Sequence, residues 1–481
     1  MNKRRDDRCG WRATRALALV GALAVILALA GCGPGSRSST PARQPVRYTV
    51  RQPVRHAARQ PVRYTVRQPA RHAARQPVRY TARQPARQPA RQPARQPARH
   101  AARQPVRHAA RQPARHAAHG QTHSPLAAAY PGYEVGAYYF SGWSHGQNNN
   151  ISRLLTGRMH ASEPLIGWYD DSQAQVDKAI AQAADAGIDF FAFDWYDIAR
   201  SPYATDKTLN EGLRFYLSSR QRHRLKFCLV FVDFAPFMPR AGEWPHLVDT
   251  WITGYFRQPD YVRVDGKPLF IVFSPEHMRT IFGGSAGVRK ALDVMRARAR
   301  AHGLPGVTIA VAATVAPRAN PIHVQELISE HYDAATGYNY HAMGGEQYRV
   351  PVPYERLVAE NVAMWNRVAA RLRIPYIPVI TSGWDQRFSA REQDTAIIYD
   401  GRTPRTLACY AVLARHWIDT HLAQTARERL VLLYAWNEIG EGGAIIPDHR
   451  DGYAYADVVR MVFGGAGRAP TTPSSCHSAG A

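Results

Sequence analysis

Residues 41–119 contain no acidic residue, although they carry nineteen arginines. Residues 1–40 add seven Lys or Arg and two Asp, so only +1 of the chain's net charge of +25 is left for residues 120–481. The basic character therefore belongs to the N-terminal quarter of the chain. The remainder is nearly neutral, and its charge gives no reason to expect a surface that binds nucleic acid.

Cysteine is also scarce, with five residues in 481. Cys228 and Cys409 fall in an apolar run and a helical pattern, so we expect both to be buried and inert. No spacing predicts a zinc site or a disulfide framework, and we expect neither a metal nor a cofactor. A large hydrophobic core must therefore stabilise the fold, and about 350 residues can supply one.

The most apolar run of the N-terminus, Ala16–Ala30, is too short to be a confident membrane span, and it follows several Lys and Arg residues. It ends in Leu29-Ala30-Gly31-Cys32, which resembles a bacterial lipoprotein signal. We therefore expect residues 1–31 to be removed and Cys32 to be lipidated, which would anchor the exported protein to the cell membrane, facing outward. An ordinary signal peptide and a poor signal anchor are the alternatives.

Residues 32–124 are predicted to be a disordered basic linker. From Arg43 to about Arg115 the chain repeats Arg-Gln-Pro-(Val/Ala)-Arg. The frequent prolines prevent both a helix and a regular strand ladder, which favours an extended, partly polyproline spacer. The linker either binds anionic envelope polymers or headgroups as well, or is a plain spacer whose charge is incidental.

Residues 130–463 alternate short apolar runs with amphipathic helices, and residues 464–481 form a polar tail. Ser172 is a candidate N-cap for a helix with Val176, Ile180 and Ala183 on one face. Eight apolar runs predict strands: Val135–Phe140, Ile188–Trp195, Lys226–Asp233, Pro268–Phe273, Val307–Ala313, Ala334–Tyr340, Tyr376–Thr381 and Leu430–Trp436. Eight such units favour an α/β fold, a (β/α)8 TIM barrel, and no Gly-x-Gly-x-x-Gly follows the first strand.

In a barrel of this kind the active site lies where the strands end. Aromatic and polar residues cluster at the predicted ends, which is typical of a sugar site because aromatic faces cover the apolar side of a pyranose. The predicted substrate-binding residues are His145, Asp194, Trp195, Asp197, Tyr338, His341, Trp384, Asp385 and Asn437. Asp194 could also help a catalytic glutamate, Asp197 could cap a turn, and Asp233 could brace a neighbouring strand.

Glu438 and Glu441 directly follow the eighth predicted strand, among Gly440, Gly442 and Gly443. Glycines permit a tight turn that could direct both carboxyls inward. Glycosidic cleavage normally uses two carboxyl groups, one of which protonates the leaving oxygen. The pair is therefore the predicted catalytic site, with a solvated turn as the alternative.

The stretch Ala435–Gly442, followed by Pro447-Asp448 and Gly452–Tyr455, resembles the glycoside hydrolase family 99-like and WbsX group. Val135–Phe140, Asp265–Pro268 and Ser382–Asp385 with Arg387 resemble its first, fourth and seventh strands. The likeness covers residues 134–463. Ile439 and Gly440 stand where the endo-α-mannosidases have Trp and His, and Gly440 is closer to the WbsX branch, whose members are often labelled glycosyltransferases.

The resemblance implies a (β/α)8 barrel without a required metal. It also implies that Glu438 is the general base on a sugar 2-hydroxyl, that Glu441 is the general acid, and that an anhydro-sugar intermediate forms. We expect a monomeric exported glycoside hydrolase that cleaves a polysaccharide, of which an α-mannan is one option. A glycosyltransferase of polysaccharide biosynthesis and a non-catalytic glycan-binding lipoprotein are the alternatives.

Overall fold

The computed structural model describes residues 132–143, 162–167, 172–202, 207–315, 321–341, 351–386 and 397–464. The predicted signal peptide, Cys32, the linker, His145, Arg387 and the tail lie outside these ranges. No helix of the described residues is both long enough and apolar enough to cross a membrane.

Eight parallel strands form the centre of the fold, as predicted. They are β1 (Glu134–Tyr139), β2 (Phe190–Tyr196), β3 (Lys226–Val232), β4 (Lys267–Val272), β5 (Thr308–Ala312), β6 (Ala334–Thr336), β7 (Val379–Thr381) and β8 (Leu430–Tyr434). Neighbours in sequence pair from β1 to β6, and β8 lies between β7 and β1. A parallel bridge between Ala335 and Tyr376 joins β6 to the segment before β7, so the barrel is nearly closed.

Nine helices of the described residues accompany the strands. They are α1 (Gln173–Asp185), α2 (Glu211–Ser218), α3 (Trp244–Trp251), α4 (Pro275–Phe282), α5 (Ser285–Ala301), α6 (Pro321–Ser329), α7 (Tyr354–Leu372), α8 (Pro404–Thr420) and α9 (Ala454–Phe463). The Ser172 side chain accepts a hydrogen bond from Gln175 N at 3.3 Å, which confirms the predicted N-cap of α1. Val176, Ile180 and Ala183 are buried, as the apolar stripe predicted.

Strand β2 shows how the barrel sorts its side chains into an inner and an outer set. Alternate residues of a strand point to opposite faces. The Phe193 ring packs against Tyr216 of α2, and the Trp195 ring packs against Trp251 of α3, with centroids 5.3 and 5.2 Å apart. Asp194, between them, points to the other face, into the barrel. A buried strand with one acid among aromatics therefore delivers that acid to the interior.

Two expectations need correction. Strand β6 ends at Thr336 instead of Tyr340, because the chain turns there: Tyr340 has a φ of 46°, and its hydroxyl donates to Thr336 O at 2.9 Å. Cys228 is buried and free, as expected, but Cys409 is half-buried and disulfide-bonded, which the spacing did not predict.

Candidate active site

The loop after β8 contains a short 3-10 turn, Ile439–Glu441, with Glu438 directly before it and Glu441 at its end. Gly442 follows with a φ of 68°, a left-handed conformation that favours glycine. Gly443 N donates to Glu438 O at 3.0 Å and closes the turn. A Cβ atom on Gly443 would lie 2.7 Å from the Tyr434 ring, so only glycine fits this close approach. The predicted tight turn is confirmed.

Asn437 fixes this loop to the end of β1. Its side-chain oxygen accepts from Phe140 N at 2.9 Å, and its side-chain nitrogen donates to Phe140 O at 2.7 Å. The Trp143 indole donates to Asn437 O at 2.8 Å. Both ends of the amide are thus engaged with backbone. The side chain anchors the glutamate loop, and its predicted contact with substrate stays a prediction.

Glu438 and Asp194 meet at one phenol. The Tyr338 hydroxyl lies 2.7 Å from Asp194 Oδ2 and 3.4 Å from Glu438 Oε1. Asp194 comes from β2, Tyr338 from the loop after β6 and Glu438 from the loop after β8, so residues far apart in sequence converge at the carboxyl ends of the strands. This is the barrel end at which the sequence predicted a site.

Glu441 has a separate partner. Its carboxyl accepts a hydrogen bond from the hydroxyl of Tyr434, the last residue of β8. The Tyr434 ring also lies against the Tyr338 ring, with centroids 5.0 Å apart. The two tyrosines therefore hold the two glutamates in adjoining positions. In the described part of the chain, no arginine or lysine makes an ion pair with Asp194, Glu438 or Glu441.

The three acids are hard to ionise together. Burial raises the pKa of Asp194 to about 8, although the Tyr338 hydrogen bond acts the other way. Burial, then the charges of Glu441 and Asp194, hold the pKa of Glu438 well above its usual range. Burial raises the pKa of Glu441 to about 7, opposed by the Tyr434 hydrogen bond. The site therefore holds at least one proton near neutral pH, as an acid catalyst requires.

Trp384 and His341 form one aromatic wall near the acids. Their rings stack with centroids 3.6 Å apart and an interplanar angle of 7°. The Trp384 ring lies 6.0 Å from that of Tyr434, which connects the stack to the Glu441 side of the site. Both residues are buried, and His341 covers one face of the indole. Stacking of Trp384 on a sugar stays a prediction and would have to use its other face.

Several of the predicted substrate-binding residues have side-chain contacts away from the three acids, or support the site only through the main chain. Trp195 faces α3, on the opposite side of β2 from Asp194. Asp197 accepts a hydrogen bond from the backbone of Ala199, which fits the alternative that it caps a turn. Asp385 donates its backbone N–H to Glu441 O at 2.8 Å, so it supports the loop through its main chain.

Asp233 is fully buried at the end of β3, with one oxygen 3.7 Å from His277 Nδ1 of α4. Burial raises the pKa of Asp233 to about 7, and His277 lowers it. The pair links a strand end to the helix α4, whereas bracing of a neighbouring strand by Asp233 stays a prediction. In the described part of the chain, no group of three or more His, Cys, Asp or Glu side chains is arranged to hold a metal ion.

Sequence reasoning missed two tyrosines. Tyr434 binds Glu441, and Tyr138 of β1 packs against Tyr338 with ring centroids 4.6 Å apart while its hydroxyl donates to Gly337 O at 2.5 Å. Each is a hydroxyl-bearing residue within an otherwise apolar strand. A count of such residues, placed on the strand face that also carries Asp194, is the signal that could have found them.

Comparison with known proteins gives a family match over part of the chain. Residues 240–459 match the family model described as Glycosyltransferase WbsX. An uncharacterized protein, WxcX of Xanthomonas campestris pv. campestris, is 25% identical over 368 residues, covering 69% of this chain and 49% of WxcX. The chain thus spans about half the length of the curated relative that it matches.

Solved structures with a similar fold include a glycoside hydrolase-like protein, at 14% identity and a TM-score of 0.48, covering 70% of this chain and 96% of that one. The glycoside hydrolase family 99 endo-α-mannosidase from Bacteroides thetaiotaomicron has 14% identity and a TM-score of 0.46, covering 68% and 95%. The family match contains the β8 motif and the stretches Asp265–Pro268 and Ser382–Asp385. Residues 240–459, which contain β4 to β8, are therefore similar to the WbsX family, and the resemblance predicted from the motif after β8 is confirmed.

Proposed function

We propose that this protein is a glycoside hydrolase that cleaves a polysaccharide by acid/base catalysis with Glu438 and Glu441. The observation that carries the proposal is the convergence of the two glutamates at the carboxyl end of the barrel, with Glu438 buried, Glu441 half-buried, and no arginine or lysine of the described residues in an ion pair with either. Two carboxyl groups of raised pKa in one place suit proton transfer to and from a glycosidic bond near neutral pH.

The roles follow the motif resemblance. Glu441 donates its proton to the glycosidic oxygen as the bond from that oxygen to C1 breaks. Glu438 takes the proton of the sugar 2-hydroxyl, whose oxygen bonds to C1. The oxygen of a water molecule then bonds to C1 as the bond from C1 to the 2-oxygen breaks, while the water gives a proton to Glu441 and Glu438 returns its proton to the 2-oxygen. A pKa of about 7 for Glu441 is well matched to a group that alternates between acid and base.

A second candidate is glycosyl transfer, which the description of the matched family model favours. The same two carboxyls would then act on an activated sugar donor instead of a polysaccharide. The two candidates differ in the donor that they consume, so one assay can separate them. Export favours hydrolysis, because activated nucleotide sugars are not expected outside the cytoplasm.

Incubation of the full-length protein with α-mannans, α-glucans and bacterial envelope polysaccharides, followed by measurement of reducing ends, tests the proposal. We expect release by the parent protein and a loss of at least ~100-fold in Glu438→Gln and Glu441→Gln. Glu355→Gln, exposed in the first turn of α7, is the matched control and should keep full activity.

The outcomes separate the alternatives. Release that survives both glutamine variants would contradict the assigned residues. Transfer from nucleotide sugars without release from any glycan would establish the transferase. Glycan binding without turnover, unaffected by Glu441→Gln, would establish a glycan-binding protein.

We also propose that the protein is exported and anchored to the membrane by lipid on Cys32, with the barrel facing outward. The support is the sequence alone: the basic N-terminus, the short apolar run and Leu29–Cys32. Metabolic labelling with a radioactive fatty acid should label the parent and not Cys32→Ala. Label that persists in Cys32→Ala, or a parent that stays unlabelled, would contradict the anchor.

A further inference from the structure

Tyr338 lies between two carboxyls that cannot both receive its proton. A phenol carries one O–H, whereas Asp194 Oδ2 at 2.7 Å and Glu438 Oε1 at 3.4 Å both lie beside its oxygen. If both carboxyls were ionised, one of them would face the phenol oxygen without a proton. The arrangement is satisfied when exactly one of the two carboxyls is protonated, because that carboxyl then donates to the phenol while the other accepts from it.

Two arrangements of the same proton fit this geometry. In the first, Glu438 is protonated and donates to Tyr338, whose own proton points to ionised Asp194. In the second, Asp194 is protonated and donates to Tyr338, whose proton points to ionised Glu438. The first becomes the second when Glu438 gives its proton to the phenol oxygen and the phenol gives its proton to Asp194. The net result is the transfer of one proton from Glu438 to Asp194.

The catalytic use of this exchange rests on the function proposed above, in which Glu438 must be ionised before it accepts a proton from the sugar. A buried glutamate next to two other acids has little tendency to be ionised. We infer that Asp194 is the positioning residue that stores a proton on behalf of Glu438, with Tyr338 as the relay between them. Asp194 acts through the phenol and does not need to touch the substrate.

The surroundings of Asp194 fit a neutral, proton-holding group. The residue is 2% exposed, and its second oxygen, Oδ1, has no hydrogen-bond partner in the described part of the chain. The titratable groups that face it are Tyr338, Glu438, Glu441 and, from β1, Tyr138. None of these is a cation. A permanently ionised carboxylate would lack compensation there, whereas a protonated one does not need it.

The experiment is a pH titration of the full-length protein in which the infrared absorption of the protonated carboxyl groups is measured at each pH. Glu438→Gln identifies the Glu438 signal by difference. In Asp194→Asn, which keeps the size of the side chain, we expect the midpoint of Glu438 to fall by about one pH unit or more, because a neighbouring carboxyl charge is removed. Asp189→Asn, at the other end of β2 beside Val135 N, is the control and should leave that midpoint unchanged.

Tyr338→Phe separates a relay from simple proximity of charges. It removes the hydroxyl that lies beside both carboxyls, while both acids remain. We expect the Glu438 midpoint to rise, because a hydrogen bond to its ionised form is lost, and kcat on a cleaved glycan to fall at least ~10-fold. In Asp194→Asn the acid limb of the kcat profile should move down in pH together with the infrared midpoint.

An unchanged Glu438 midpoint in Asp194→Asn would overturn the inference. So would a raised KM with an unchanged pH profile, since that result would make Asp194 a substrate contact. The infrared titration does not require turnover. A protein that cleaves no glycan but shows the coupled midpoints would therefore refute the proposed hydrolase and leave the proton exchange established.

Discussion

Glu330 and Glu438 are both buried glutamates, but among the described residues an arginine lies beside Glu330 and none forms an ion pair with Glu438. Arg279 Nε donates to Glu330 Oε1 at 2.5 Å, and Ser285 Oγ donates to the same oxygen at 2.8 Å. Glu438 is in contact with a phenol and faces two further acids. The first carboxyl is neutralised by a partner, which makes it a structural connection between helices. The second has no such ion pair among the described residues, so its charge is neutralised by a proton, which makes it available for acid/base chemistry.

The two groups of acids also lie in different parts of the fold. The Glu330 cluster joins α4, the start of α5 and the end of α6 outside the barrel, whereas Asp194, Glu438 and Glu441 lie at the carboxyl ends of the strands. Burial alone therefore does not identify a catalytic acid in this protein. A catalytic acid is identified here by burial together with the lack of an ion pair to an arginine or lysine of the described residues.

The largest loss of stability that we expect comes from breaking the ion pair between Arg279 and Glu330. Glu330→Ala removes the carboxylate nearest to the Arg279 guanidinium, which then keeps Glu326 at 3.3 Å and Glu276 at 3.9 Å, and it should lower the free energy of unfolding by about 3 kcal/mol. Denaturant unfolding measures it. Asp457→Ala, in an exposed pair with Arg460, is the control and should cost less than about 1 kcal/mol.

The double variant Arg279→Met with Glu330→Met sharpens the result. It removes both charges and keeps similar volume, so it should be clearly more stable than Glu330→Ala. Equal losses in the single and double variants would mean that the pairing of charge is not what stabilises this region.

The free energy of unfolding should depend on pH, because several acids of the fold have raised pKa values. The pKa values of Asp194, Glu441 and Asp233, about 8, 7 and 7, are above their values in an unfolded chain. The folded protein therefore binds more protons than the unfolded one between about pH 4 and 8, and its stability decreases as pH rises through that window. The loss should be steepest below about pH 7, where all three groups hold an extra proton in the folded state, and should level off above about pH 8.

Denaturant unfolding at several pH values checks this expectation, and Asp194→Asn isolates one contribution. The variant cannot ionise at this position, so its stability should decline less steeply with pH than that of the parent. Parallel curves for the two proteins would show that Asp194 has the same pKa in the folded and the unfolded protein. That result would contradict a raised pKa for this residue.

A smaller effect should follow from loosening the glutamate loop. Asn437→Ala removes both hydrogen bonds to the Phe140 backbone and should cost about 1–3 kcal/mol, because buried backbone groups lose their partners. Asn366→Ala, which removes only one bond from the Trp417 indole, is the control and should cost less. Activity at saturating glycan should fall in Asn437→Ala and not in Asn366→Ala, and equal activities would contradict an anchoring role.

Most of the barrel could be predicted from sequence, because strands buried on both faces read as nearly continuous apolar runs. All eight predicted runs contain or overlap an observed strand. The ends were less predictable: β6 stops after three residues because Tyr340 reverses the chain and satisfies backbone carbonyls with its own hydroxyl. Such a contact depends on where the ring lies in space.

The sequence by itself determined the barrel, the position of Glu438 and Glu441 after β8, and the glycines that turn the loop. These follow from local patterns, namely apolar runs, a motif and the conformational freedom of glycine. Only the tertiary structure decided that Asp194 faces the acids while Trp195 faces α3, that Asn437 binds backbone, and that Tyr338 and Tyr434 hold the carboxyls. Those outcomes depend on which residues from distant strands share one interior.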